Sequence, residues 1–205
     1  MLYTTYYAQK ENITEERCRE MEKALAERDG KPEKFHLRKM EFSGSQHKAV
    51  PRYFLCVKNY DKNQIFLEKR YVQNGLNYKK CVKVTEEECQ KIMDGDLEWM
   101  KNHRKELLAD FYRQATLNSL YPGRVTDYER EMFRCRKGEY ITFVTSVERG
   151  VGLSKDLFQK PEMKISCLDE GKVLVIYKKS ASLPQIVSNM LQGQDDTPDE
   201  YAFVF

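Results

Sequence analysis

Between two stretches of alternating apolar and charged residues, positions 65–73 and 76–84, the chain places Asn74-Gly75. That dipeptide is the preferred centre of a two-residue type I′ turn, where both positions need positive φ, so it predicts a tight antiparallel hairpin. A two-residue loop fixes the register: Gln73 pairs with Leu76, Arg70 falls opposite Lys79, and Glu68 opposite Cys81. Alternation then sends Ile65, Leu67, Tyr71, Tyr78, Val82 and Val84, with Lys69 and Lys80, to one face. Phe66, Glu68, Arg70, Asn77, Lys79, Cys81 and Lys83 go to the other. This second, charged face has two readings. It is either the solvent side of a half-covered sheet, or a set of cations around one carboxylate, suited to holding a polyanion beside a metal ion. Periodicity alone does not choose.

The rest of the chain is punctuated around this hairpin. Residues 1–9 read as a short aromatic strand, and residues 12–28 as a helix with Thr14 as N-cap and Ile13, Met21, Ala24 and Leu25 on its period, ending before Asp29-Gly30. Alternation predicts strands at 34–42, with Leu37, Lys39 and Glu41 set against His36, Arg38 and Met40, and at 52–60. In the latter, Arg52, Phe54, Cys56 and Lys58 share one side. Thr85 and Glu88 form a capping box for a helix that stops at Asp94-Gly95. A longer helix is expected over 97–120, with Trp99, Leu107, Leu108, Phe111, Ala115 and Leu117 buried and His103 on its polar side. Pro122-Gly123 breaks the chain before strands that begin at Val125, Tyr140 and Lys172. A last helix runs to Gln192, and residues 193–205 read as a flexible tail of a single domain spanning 1–205.

Charge and cysteine content narrow the function. A third of the residues are charged, yet 35 Lys+Arg against 32 Asp+Glu leave a net of +3, which argues against a general nucleic-acid binder and requires any anion site to be local. Six cysteines at 18, 56, 81, 89, 135 and 167 form no C-x-x-C pair, so no zinc site is indicated. With no apolar run long enough to span a membrane, free thiols and a cytoplasmic location are the simplest expectation.

Leu67-Glu68-Lys69-Arg70, Asn74-Gly75, Tyr78-Lys79-Lys80 and Thr85-Glu86-Glu87-Glu88, in this order and spacing, resemble the core of the VTC (vacuolar transporter chaperone) domain. Further matches are Lys58 on its strand, Arg130 after Val125-Thr126-Asp127-Tyr128-Glu129, residues 140–147, and Lys178 before Ser182-Leu183-Pro184. That family comprises polyphosphate polymerases of the triphosphate tunnel metalloenzyme, or CYTH, superfamily. The resemblance implies an α+β fold: an antiparallel β-barrel tunnel lined by Arg, Lys and Glu, with helices packed outside.

It further implies Arg70, Lys79, Arg130 and Lys178 as the catalytic cations, the same four with Lys58 and Lys83 as the substrate-binding set, and Glu68 as a ligand for Mn²⁺ or Mg²⁺. The implied ligands are polyphosphate, ATP or another triphosphate. Several positions depart from the family: Cys56 and Tyr140 replace arginines, Val144 an aspartate and Ile176 the metal-binding glutamate, while Cys81 at a tunnel-lining position and Tyr6-Tyr7-Ala8 near the start differ as well. The family's N-terminal Glu-x-Lys element is absent too. Three functions therefore stay open: a phosphotransferase that builds polyphosphate from ATP, a module that binds polyphosphate or triphosphate without converting it, and a structural barrel that has given up anions.

Overall fold

A computed structural model describes residues 3–5, 8–44, 51–73, 76–135, 140–178 and 185–191. In chain order its strands are β1 (Tyr3–Thr5), β2 (Ala8–Thr14), β3 (Glu33–Ser43), β4 (Arg52–Lys58), β5 (Ile65–Gln73), β6 (Leu76–Val84), β7 (Tyr121–Arg134), β8 (Tyr140–Gly150), β9 (Lys164–Ser166) and β10 (Lys172–Lys178). Helix α1 (Glu15–Asp29) follows β2, α2 (Glu86–Met93) follows β6, α3 (Glu106–Asn118) precedes β7 and α4 (Gln185–Leu191) follows β10. Every pairing with a defined register is antiparallel. The chain divides into two compact units built of interleaved segments; β3, β7, β8 and β9 contribute residues to both.

The first unit takes residues 36–127 and 148–165 with the N-terminal six. Its strands lie in the order β1-β6-β5-β4-β3-β7. The β5–β6 hairpin has the register that the turn demands, Gln73 opposite Leu76, Arg70 opposite Lys79 and Glu68 opposite Cys81; the turn residues 74–75 lie outside the described residues. Ile65, Leu67, Val82 and Val84 on its apolar face join Met40, Leu55, Val57 and the helical residues Cys89, Ile92, Leu107, Leu108 and Phe111 in one core. Fully burying each such side chain contributes about 1.5–3 kcal/mol, so the apolar face decides which side the helices cover. Tyr53 and Lys69, both at the sheet, donate to Asp110 of α3 at 2.5 and 2.6 Å and fix that helix laterally. The Thr85–Glu88 capping box forms as the sequence requires.

Four expectations for this unit are corrected. The single helix over 97–120 is a 3-10 turn at Glu98–Met100 followed by α3, because residues 101–105 are polar and His103 turns back to accept the Lys105 N–H on Nδ1 at 3.0 Å. His103 is thus a half-buried local brace rather than a surface residue. Leu117 is 76% exposed, since at 100° per residue it falls on the opposite side of α3 from Leu108, Phe111 and Ala115. Pro122-Gly123 does not break the chain but lies inside β7, where glycine is needed: a Cβ at 123 would stand 2.5 Å from the Glu41 carbonyl oxygen.

In the second unit the strand order is β8-β10-β2. Residues 12–13 belong to β2, opposite Leu174 and Val173, rather than to the following helix. Thr14 caps α1 by accepting the Arg17 N–H at 3.3 Å. Cys18, Met21 and Leu25 of α1 and Val187 and Leu191 of α4 pack on Ile13, Phe133, Ile141, Phe143, Val173 and Val175 as a separate core. Helices thus cover one sheet face in each unit. The tail 193–205 lies outside the described residues.

Candidate functional site

The face of the first unit that the helices leave uncovered is set by register. Lys39 pairs with Cys56 and Glu41 with Phe54; Phe54 pairs with Glu68 and Arg52 with Arg70; Glu68 pairs with Cys81 and Arg70 with Lys79. Within the first unit, alternation therefore gathers Lys39, Arg52, Lys58, Arg70, Lys79 and Lys83 with Glu41 and Glu68 on one side of β3, β4, β5 and β6, while Glu33, at the same parity in β3, belongs to the second unit.

Glu68 is the centre of this face and is 2% exposed. Its Oε1 accepts from Lys39 Nζ at 2.7 Å and from Arg70 Nε, and its Oε2 pairs with Lys79 Nζ at 2.8 Å. The thiols of Cys56 and Cys81 donate to the same Oε2 at 3.8 Å from either side. Burial alone would raise the Glu68 pKa, but Arg70, Lys39 and Lys79 outweigh it and hold the carboxyl well below the usual range. Burial and the neighbouring Arg70 push Lys39 down to about 7 against the opposing pull of Glu68. Burial likewise pushes the Cys56 thiol up to about 12, so it stays protonated. Phe54, itself 3% exposed, floors the cluster: Lys39 Nζ and the guanidinium carbons of Arg52 and Arg70 each lie 5.4 Å from its ring centroid.

Of the residues singled out in the sequence, the structure brings Glu68, Arg70 and Lys79 into one ion-paired cluster. Lys58 lies half-buried on the same face, and Lys83 is exposed at its edge, with its carbonyl accepting from Lys105 Nζ at 3.1 Å. Arg130 belongs to the second unit, its guanidinium carbon 4.8 Å from the ring of Tyr128 and its Nε buried without a hydrogen-bond partner among the described residues. Lys178 ends β10 opposite Ala8; its side chain lies outside the described residues. Ile176 sits opposite Thr142, and Leu174 opposite Val144 and Asn12, so these share the face turned away from α1 and α4. Val144 and Leu174 are fully buried there.

Sequence reading missed Lys39, Glu41 and Arg52. Their alternation was visible, but only the β3–β4 register places Lys39 and Glu41 beside the hairpin. It also missed a second ionic hub within the first unit. Asp127 accepts from Arg38 Nε at 2.6 Å and Nη2 at 2.9 Å, with Lys164 Nζ at 2.7 Å and His36 Nε2 at 3.4 Å. Burial would raise this carboxyl too, but hydrogen bonds from His36, Arg38 and Lys164 hold it far below its ordinary value. Arg38 Nη1 also donates to the carbonyls of Leu157 and Gln159, so this hub ties a loop to the sheet.

A divalent ion does not fit the residues present. Mn²⁺ and Mg²⁺ need carboxylate or carbonyl oxygens with lone pairs to spare. Glu68 is engaged by three cations, Glu41 through one of its oxygens by Arg52, Ile176 offers no oxygen, and no group of three His, Cys, Asp or Glu among the described residues could hold a metal. What the face can do is bind anions, by charge and by forked or multiple N–H donors.

Comparison with known proteins places this geometry. The VTC domain model matches residues 38–150, which include β4, β5, β6 and the C-terminal half of β3. No curated protein matches the chain by sequence. Among solved structures, a candidate adenylate cyclase from Bacillus halodurans matches with a TM-score of 0.58 at 8% identity, covering 97% of this chain and 96% of that one. A candidate adenylyl cyclase from Hippeastrum, described as having a dominant triphosphatase activity, matches at 0.54 and 9% identity, over 94% and 85% of the two chains. The Mediator head module of Schizosaccharomyces pombe matches at 0.50 and 8% identity, over 93% and 89%. At these identities the common property is the fold, the antiparallel α+β fold that the resemblance implies.

Proposed function

Because the chain belongs to the VTC domain family, whose model matches more than half of it, we propose that it binds phosphate chains, triphosphate or polyphosphate, on the charged face of β3, β4, β5 and β6, and does so without metal-dependent turnover. Six basic side chains against two carboxylates on that face support anion binding in a chain whose net charge is only +3. The observation that carries the reading is the state of Glu68: the acid that the family resemblance assigns to a metal is taken up by Lys39, Arg70 and Lys79. Phosphoryl transfer depends on a metal bridging phosphates together with cations around the equatorial oxygens. This face offers the cations and lacks the acids, so polymerisation of ATP is the less supported of the family's two properties. The six free cysteines fit a reducing, cytoplasmic setting.

A scaffold reading draws on the full burial of Val144 and Leu174 on the face away from the helices, and on the likeness to the Mediator head module. Thermal unfolding separates the two. Tripolyphosphate, longer polyphosphate or ATP at a hundredfold excess over Kd stabilises by about 2.7 kcal/mol, about 5–10 °C at this size. The rise is expected with or without Mn²⁺, and Lys79→Ala reduces it. Arg130→Ala and Lys178→Ala test the two further cations in the same assay. Polyphosphate formed from ATP and Mn²⁺ would overturn the absence of turnover, and no shift with any anion would leave the scaffold.

A further inference from the structure

In a metal-dependent phosphate site an acid points at the ion; on this face the acid is consumed by its own neighbours. Lys39 and Arg70 share one oxygen of Glu68, Lys79 takes the other, and two thiols close its flanks. Glu41, the other carboxylate on the face among the described residues, is held by Arg52. A divalent cation arriving here meets the three cations around Glu68 and, besides that acid, the one oxygen of Glu41 that Arg52 does not hold, too few carboxylate oxygens among the described residues for its shell. A bare phosphate oxygen meets the charges that the oxygens of Glu68 now satisfy. Those charges are reachable: the Lys79 side chain is 33% exposed and that of Arg70 12%, above the fully buried Lys39 and Glu68.

We infer that the Lys39, Arg70 and Lys79 triad takes phosphate chains in their metal-free form, and that Glu68 is an internal anion which the ligand's oxygens displace. The inference rests on the phosphate-binding reading and adds the ionic form of the ligand. A chain chelated by Mg²⁺ carries less net negative charge and has its oxygens engaged, so Mg²⁺ competes with the protein for the ligand. Glu68 competes with it as well, from within the fold. Its neutralisation strengthens the pull of the triad on phosphate, the opposite of what loss of a metal ligand does.

Calorimetric titration of tripolyphosphate into the full chain at constant ionic strength tests both competitors. It is run in EDTA, in excess Mg²⁺, and in EDTA with Glu68→Gln. Kd is expected to be roughly tenfold lower in EDTA than in Mg²⁺, and lower by about tenfold again in Glu68→Gln, the scale for removing one unit charge several ångströms from a multiply charged ligand. Equal or tighter binding in Mg²⁺ overturns the inference, as does unchanged or weaker binding by a folded Glu68→Gln. The Mg²⁺ comparison uses the unaltered chain, so it decides even where the variant, with buried cations stripped of their counter-ion, fails to fold. Tighter binding in Mg²⁺ leaves phosphate binding standing, whereas no binding in any arm removes both.

Discussion

Asp127 and Glu68 are both carboxylates buried among cations, and their surroundings divide their roles. Asp127 meets the fork of Arg38, which also reaches two loop carbonyls, so its charge is spent on holding chain segments together. Removing it leaves a guanidinium that is 1% exposed without its counter-ion, and breaking such a buried pair costs about 3–5 kcal/mol. Asp127→Asn is therefore expected to lower urea stability by that amount at pH 7. The folded-state pKa of Asp127 is depressed, so its contribution is complete above the ordinary carboxylate range and lost as pH falls towards the folded value. The gap between wild type and Asp127→Asn should narrow below about pH 4; a gap that stays constant with pH would refute the ionic account. Asp127 was readable in the sequence only as a neighbour of Arg130. Its partners Arg38 and Lys164 lie 89 and 37 positions away in number, and no local period connects them.

At the scale of elements, what was legible was whatever a local rule fixes. Asn74-Gly75 set the β5–β6 register, and with it the meeting of Glu68, Arg70 and Lys79; Thr85 and Glu88 set the start of α2. The misreadings came where tertiary contacts override a local signal. Pro122-Gly123 looks like punctuation, yet β7 runs through it because its backbone passes so close to Glu41 that only glycine is accommodated. Gly123→Ala is expected to cost about 1–3 kcal/mol through displaced backbone, read as a lowered melting temperature with no change in helix content. A neutral substitution would show that the two strands part freely. The short β9 carried no period at all and is defined only by pairing with β8.

At the scale of the molecule, the boundary of the family match and the boundary of a folded body differ. Residues 38–150 contain the charged face and its helical core apart from Leu157 and Phe158. They also contain Phe133, Ile141 and Phe143, which pack with Met21, Leu25, Val187 and Leu191 from outside that span. A fragment cut to 38–150 would expose those rings. Its expected behaviour is dye binding and a broad, weakly cooperative thermal transition, whereas the full chain unfolds sharply; a sharp transition in the fragment would show the first core to be self-sufficient. Sequence similarity traced the part that bears charge, and packing decides how much chain that part needs.

The segment between β8 and β9 carries no regular secondary structure, yet Arg38 grips its middle through two carbonyls from a fully buried position, and Leu157 is inserted into the core of the first unit. To a protease such a stretch is irregular in outline but not pliable, because a scissile peptide must be drawn out over several residues to enter an active-site cleft. Resistance to nicking at Leu157 therefore follows from one guanidinium and one leucine, and the length of an irregular stretch is a poor guide to where this chain can be cut.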